Sequence, residues 1–497
     1  MLDDLLQVVN HVLEQGGSWQ GKTVLLAFSG GMDSTVVLEA LTLLRPRHGY
    51  ELHAAHIHHG LQSIADQWPA HCEQQALQRG VSFHVRKVHL QQSEGLGLEG
   101  AARLARYQAL GAIPADVVVL GHHLDDQAES VLLQLLRGAG PAGLSGMGTD
   151  SIPSGHPLRS PILRPLLSVP RERIALWAKD RGLSWIEDPS NQSLQMDRNY
   201  VRNRLGPVLN ERFRSWQQGL ARSAQWATEA QSLLVELAHQ DLHAILCDVD
   251  APTIPAWSQS DPACLPGHQQ SYLALSEPRL RNLLRVLVVE RGAPAPPAPR
   301  LVEWIRQLQQ ADADRAPTMI WQDWVLRSWG GKLWLEKRVN TVRTQNPDAV
   351  IPSDVITAER REALSIEWDG LQPLQADWPA GGGFDIVRVD PGSLDQIQAG
   401  IILPFVLRHD CGSLTIKTAS GGACIQPGAM QPHRNLRKLF QELRVPPWRR
   451  ARMPMLHCGR ELIAVPGVAV HPAWQAPPGS AGWQLIWRDA GLACYNN

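Results

Sequence analysis

The first 190 residues alternate short apolar runs with stretches of helical spacing, and this alternation constrains the fold more than any other feature. Thr23 to Phe28, Glu51 to Ile57, Phe83 to Val88 and Asp116 to Leu120 have the length and apolar character of strands. Ser34 to Leu44, Ser63 to Arg79, Leu98 to Leu110, Asp126 to Arg137 and Pro170 to Arg181 repeat with helical period. Strands separated by helices build βαβ units, so an α/β fold with a doubly wound, mostly parallel sheet is expected. Ligands of such a sheet gather beyond the carboxyl ends of its strands. The residues after Phe28, Ile57 and Leu120 therefore carry most of the functional weight.

A chain of 497 residues has room for more than this one domain. We expect the α/β domain over residues 1–215, a helical domain over 216–340, an acidic Pro/Gly-rich connector over 341–405 and a small C-terminal α/β module over 406–497. Gly292 to Pro299 (GAPAPPAP) interrupts the helical part. No apolar run approaches the roughly 20 residues of a membrane helix, and no basic-then-apolar leader opens the chain. The seven scattered cysteines form no C-x-x-C pair, so a cytoplasmic protein without a disulfide scaffold or zinc ribbon is expected. The net charge of −1 hides an uneven distribution. Residues 156–215 hold 11 Arg/Lys against 6 Asp/Glu, residues 434–452 hold 7 against 1, and residues 354–400 hold 3 against 9. Two basic segments around an acidic one suit contact with a polyanion at two places.

Two Gly-rich segments compete as phosphate loops. Gly16 to Thr23 (GGSWQGKT) formally matches a P-loop, but a helix precedes it and a strand follows, the reverse of what phosphate binding needs. Ser29 to Ser34 (SGGMDS) has the right order, strand then loop then helix. Gly30 and Gly31 permit close backbone approach, and the helix start offers free N–H groups to an anion. Asp33 would repel phosphate unless a cation lay between them, which makes it a candidate Mg²⁺ ligand.

SGGMDS resembles the signature of the PP-loop ATP pyrophosphatase superfamily, whose members split ATP between its α- and β-phosphates. HIHHGL (His56 to Leu61), EGAARLARY (Glu99 to Tyr107), GHHLDDQAES (Gly121 to Ser130), RGAGPAGLSGM (Arg137 to Met147), RPLL (Arg164 to Leu167), and EDPSN (Glu187 to Asn191) followed by RNYVRN (Arg198 to Asn203) are together similar to the tRNA(Ile)-lysidine synthetase family. So is the tail, RKLFQELRVPPWRRARMP (Arg437 to Pro454) and ELIAVPGV (Glu461 to Val468). The similarity covers about 215 N-terminal and about 60 C-terminal residues. It implies ATP-dependent ligation of free L-lysine to C2 of the wobble cytidine of an isoleucine tRNA with a CAU anticodon, with ATP and Mg²⁺ required. Two stretches depart from the family pattern. Leu407 to Met430 reads as an insertion, and the acidic stretch at 341–400 is longer than expected.

The resemblance assigns roles to particular residues. Ser29, Gly30, Gly31, Met32, Asp33 and Ser34 would bind ATP. Asp125, Asp126 and Glu129 would seat the lysine; Asp126 and Glu129 lie i, i+3 on one helical face, with helix capping as the bland alternative. Asp33, Asp126, Glu129 and Arg106 would be catalytic. Arg198, Asn199, Arg202, Arg437, Lys438, Arg449 and Arg450 would contact the tRNA, against a reading as solvated helix surface. The histidines at 56, 58, 59, 122 and 123 fit no zinc spacing. A PP-loop tRNA thiolase and a catalytically silent tRNA-binding protein are the alternatives; the first needs a reactive cysteine, and none is expected near the nucleotide rim. The oligomeric state is left open, with a dimer as one candidate.

Overall fold

Strand β1 (Thr23–Ala27) lies inside the N-terminal sheet because its alternate side chains are apolar on both faces. Val24 and Leu26 enter one core with helices α1 (Leu2–Gln15), α2 (Met32–His48), α3 (Trp68–Gln78) and α6 (Arg171–Asp180). Leu25 enters a second core with Tyr107 and Leu110 of α4 (Leu98–Gly111). Burial on both faces is what a parallel sheet between helical layers requires. β1 pairs in parallel with β2 (Glu51–His58) and β4 (Val117–Val119), and β2 with β3 (Ser82–Lys87). The short strands β5 (Asp150–Ser151) and β6 (Ile162–Leu163) complete the order β3-β2-β1-β4-β6-β5, in which only β5 runs antiparallel to its neighbour. Helix α5 (Leu124–Leu136) follows β4.

The computed structural model describes residues 2–58, 67–88, 98–151, 158, 160–247, 263–311, 316–338, 365–377, 382–389, 401–402, 407–408, 412–418, 422–450, 452–477 and 480–489. The start of the helix expected from Ser63, His59 and most of the connector lie outside these residues. The chain divides into two compact units, Met1–Leu234 and Val235–Asn497. Helix α7 (Trp216–Leu246) spans the division. Among the described residues, no helix is long and apolar enough to cross a membrane.

In the second unit, α8 (Glu277–Glu290) and α9 (Ala298–Gln310) share a core with the meander β7 (Thr318–Trp321), β8 (Trp324–Trp329) and β9 (Lys332–Lys337). The expectation of a helical domain over 216–340 is corrected for its last part, which is a strand meander. TMIW, WVLRSW and KLWLEK are short, Trp-rich runs, and the Gly330–Gly331 turn has φ of +61° and +76° at its two glycines. That is hairpin chemistry rather than helix chemistry.

Two further sheets follow. One has the order β10 (Ser365–Trp368), β15 (Leu414–Thr418), β16 (Pro454–Cys458), β17 (Glu461–Val465), β18 (Ala469–Val470). The other has the order β11 (Leu374–Asp377), β12 (Gly382–Val389), β19 (Gly482–Asp489), β13 (Ile401–Ile402), with β14 (Leu407–Arg408) also on β19. They share one core with α10 (Leu436–Glu442). The reading of Leu407–Met430 as an insertion is therefore overturned. Leu414–Thr418 is an inner strand, and Ile416 pairs with Ile366 on one side and Leu456 on the other. The connector reading fails for its described part, since β10 to β13 belong to these sheets. The acidic residues hide this because they alternate with the core residues Trp368, Phe384 and Ile386. Ile416→Ala should lower the stability of the second unit by about 2–5 kcal/mol in urea titration, because it empties a fully buried site. An effect of only a few tenths of a kcal/mol would fit a surface insertion.

Candidate active site

The SGGMDS loop sits at the carboxyl end of β1 and opens α2, where amide groups lack helical partners. Gly31 is the N-cap, in extended conformation. Gly30 adopts φ +82°, and a Cβ there would lie 2.8 Å from both Cys72 Sγ and Ile186 Cδ1. Only glycine fits, by conformation and by space. The Ser29 hydroxyl lies 3.1 Å from that of Ser34 and accepts from the Gly31 amide, while Ser34 donates to the Gly31 carbonyl. From the other side, the Ile186 amide donates to the Gly30 carbonyl at 2.9 Å. Gly121, just past β4, lies so close to the α2 start that a Cβ would be 3.2 Å from the Ser34 nitrogen. The rival Gly16–Thr23 segment is the α1-to-β1 turn, at the amino end of β1, with Lys22 over the Trp19 ring.

Asp33 occupies the first turn of α2. Its Oδ2 is 3.7 Å from His123 Nε2, and its Oδ1 is buried without a hydrogen-bond partner among the described residues. Burial raises its carboxyl above the ordinary 3.8, against the opposing pull of His123.

Helix α5 brings the second group of carboxylates to the same rim. His123 caps it, and the Asp126 side chain accepts from the His123 amide in return. Asp126 and Glu129 are 8% and 2% exposed. Such burial demands counter-charge, and Arg198 and Arg202 supply it. Arg202 Nε donates to Glu129 Oε1 at 2.7 Å, and its terminal nitrogen donates to Asp126 Oδ1 and Glu129 Oε2, both at 2.9 Å. Arg198 reaches Glu129 Oε2 at 3.0 Å and Asp126 Oδ1 at 3.2 Å. Burial pushes the Asp126 carboxyl up, but His123, Arg198, His122 and Arg202 outweigh it and hold it down at about 2. Asp126 is thus held ionised.

Sequence spacing brings Asp126 and Glu129 together but misses their arginines. Arg198 and Arg202 neither form a solvated surface nor stand free for RNA; their guanidiniums neutralise the acid pair. The signal lay in the i, i+4 spacing of two arginines beside two buried acids, which spacing alone does not pair. Asn199 donates to the Ser190 carbonyl and ties RNYVRN to EDPSN. Asp125 departs from the lysine group, as its Oδ2 accepts from the Arg171 amide at the start of α6. Arg106 is exposed on α4, and Arg103 lies 5.0 Å over the buried Tyr107 ring. His122, pulled down to about 3 chiefly by burial, accepts at Nδ1 from Arg164 and so carries its proton on Nε2. Contrary to expectation, one cysteine does lie at the nucleotide rim. Cys72 touches Gly30 and lies 3.5 Å from His56 Nδ1. It is buried and pushed up to about 12, so it is no reactive thiol.

In the second unit the tail arginines divide. Arg437 and Lys438 are exposed on α10, and Arg450 lies near enough to Arg437 to feel its charge. Arg449 is corrected as an RNA contact, because it is 1% exposed and paired with Glu336.

The PP-loop domain family matches residues 3–209, the TilS substrate binding domain residues 272–334, and the TilS substrate C-terminal domain residues 414–487. A tRNA(Ile)-lysidine synthase from Alkalilimnicola ehrlichii is 36% identical over 469 residues, which cover 94% of this chain and 93% of that one. Its counterpart from Escherichia coli O157:H7 is 36% identical over 470 residues, covering 94% and 96%. Among solved structures, the U34-tRNA thiolase NcsA from Methanococcus maripaludis is 18% identical with a TM-score of 0.39, over 46% of this chain and 79% of that one.

The raised Asp33 carboxyl has a stability consequence of fixed sign. As pH rises the unfolded chain releases this proton before the folded one does, so the ionised side chain costs stability at neutral pH. Asp33→Asn should raise the melting temperature at neutral pH, and the gain should shrink as pH falls toward the ordinary value of 3.8. Melting curves across that range check it, and a gain independent of pH would exclude the burial account.

Proposed function

This chain belongs to the tRNA(Ile)-lysidine synthase family and is an ATP-dependent tRNA-modifying ligase, and we propose that it joins the ε-amine of free lysine to C2 of the wobble cytidine of an isoleucine tRNA with a CAU anticodon. Cytidine O2 is a poor leaving group. Attack by O2 on the ATP α-phosphate releases pyrophosphate and leaves O2 adenylated. The lysine amine, having lost a proton, then adds at C2, and AMP departs with O2.

Each need of this sequence has a candidate in the chain. The Ser29–Ser34 loop and the start of α2 offer hydroxyls and free amides to the phosphates. Asp33 fits a Mg²⁺ ligand, since its buried Oδ1 lacks a partner among the described residues and a cation would relieve its charge. Bound there, the ion would neutralise charge building on the pyrophosphate. One carboxylate is enough, because Mg²⁺ commonly keeps several waters and takes phosphate oxygens as ligands.

The observation that carries the lysine reading is the Asp126–Glu129 pair. Each carboxylate offers about four acceptor positions, and three hydrogen bonds are made to each. About one position on each remains for an ammonium. Arg198 and Arg202 make this workable by preventing the two acids from repelling each other in a buried place. Exposed Arg437 and Lys438, with half-buried Arg450 beside them, suit the tRNA backbone, whose phosphates need cations. The alternative of a thiolase finds no support in Cys72, the cysteine at the rim, which is buried and protonated.

Incubation with ATP, Mg²⁺, labelled lysine and the CAU transcript should leave acid-precipitable label that survives mild alkali, with AMP released. ATP cleavage without stable label would move the nucleophile elsewhere. Glu129→Gln removes a charge-assisted contact worth about 1.5–3 kcal/mol, so it should raise the KM for lysine roughly ten- to hundredfold. The KM for ATP should stay unchanged. Equal loss for both substrates would remove Glu129 from the lysine seat.

A further inference from the structure

Arg449 is a cation that the sequence pattern offers to RNA and that the fold withdraws from solvent. It lies on α11 (Pro447–Arg450), directly after α10 and its exposed Arg437 and Lys438. Its Nε donates to Glu336 Oε1 on β9 at 3.2 Å, and its guanidinium stacks 5.0 Å from the Trp334 ring. The contacts around it join the β8–β9 hairpin to α11 and to Arg444 just before it. Trp448 meets Trp329 edge to face at 6.1 Å, and Arg327 lies 4.5 Å over the Trp448 ring. Trp329 Nε1 donates to the Arg444 carbonyl at 3.0 Å.

Arg444 itself has φ +53°, a conformation that costs a non-glycine residue energy and persists only when its surroundings hold it. Here the hairpin turn holds it, with a Cβ built on Gly330 falling 3.4 Å from the Arg444 Cβ. A buried ion pair is weak evidence for stability, but here it ties α11 to β9, because either charge moved away from the other would be left buried without its partner. Only four residues separate α10 from α11, and Val445 among them shares a core with Leu439 and Phe440 of α10, so fixing α11 also fixes the direction of the exposed α10 cations.

We propose that Glu336, Arg449 and Trp329 are positioning residues that hold the Arg437–Lys438 face at one orientation for the tRNA, an inference that rests on the reading of that face as a tRNA contact. They touch no substrate. Loosening the joint should therefore weaken capture of whole tRNA and spare the chemical step.

The test uses the full chain, and AMP release measured with whole tRNA. Glu336→Gln should raise the KM for tRNA about tenfold while kcat and the KM for ATP and lysine hold. If that variant fails to fold, Trp329→Ala, which removes a half-exposed partner of the joint, takes its place. Into the same background go Gly330→Cys and Arg444→Cys, whose Cβ atoms fall close to the spacing of a disulfide, about 3.5–4.5 Å. Oxidation should restore the low KM relative to the reduced form of the same protein. A folded Glu336→Gln with unchanged KM, or an oxidised cross-link that restores nothing, would overturn the proposal. So would a cross-link that fails to form, since the contact would then not exist in solution. The combined Arg437→Ala and Lys438→Ala variant separates the two readings. If it leaves the tRNA KM unchanged, the tRNA face itself fails; if it raises the KM and Glu336→Gln does not, only the joint fails.

Discussion

Two carboxylates and two guanidiniums, Asp126 and Glu129 with Arg198 and Arg202, hold together the part of the structure where chemistry is expected. Stripping either acid of its partners would leave a buried charge, a change that costs about 3–5 kcal/mol. The pair therefore fixes where residues 197–205 lie against α5. That placement draws EDPSN in through Asn199 and Ser190, and Ile186, the residue before EDPSN, donates its amide to the Gly30 carbonyl of the PP-loop. Loop, acid pair and basic segment thus form one connected assembly at the carboxyl ends of β1 and β4.

The same economy of space governs the loop. Gly30 is pressed by Cys72 and Ile186, and Gly121 by the first turn of α2. Packing this close leaves the backbone amides as the surface a phosphate meets. It also explains a protonated cysteine beside a nucleotide loop, where its role is filling space. Asp33 stands at the edge of this packing with one oxygen unpartnered among the described residues, and burial raises its carboxyl against the pull of His123.

The second unit shows how charge misleads when read along a chain. Residues 434–452 look like one basic patch, yet Arg449 faces inward to Glu336 and Arg434 pairs with Glu442, while Arg437 and Lys438 face out. The acidic run is misleading in the opposite sense. Its described strands alternate acids with Phe384, Ile386 and Trp368, and the apolar half joins a shared core.

The sequence by itself determined the parallel sheet, the loop after β1, and the coincidence of Asp126 and Glu129 on one helical face. These depend on period and on short-range spacing, which a linear chain displays. The helix start of the loop and the reversed order of Gly16–Thr23 were legible for the same reason. Only the tertiary structure decided which arginine meets which acid. Glu129 and Arg202 are 73 residues apart, Glu336 and Arg449 are 113 apart, and Leu414–Thr418 became an inner strand only through partners that for Ile416 lie 50 residues before and 40 after it. Long-range ion pairs and strand registers are set by which surfaces burial brings together, and no local propensity encodes that choice.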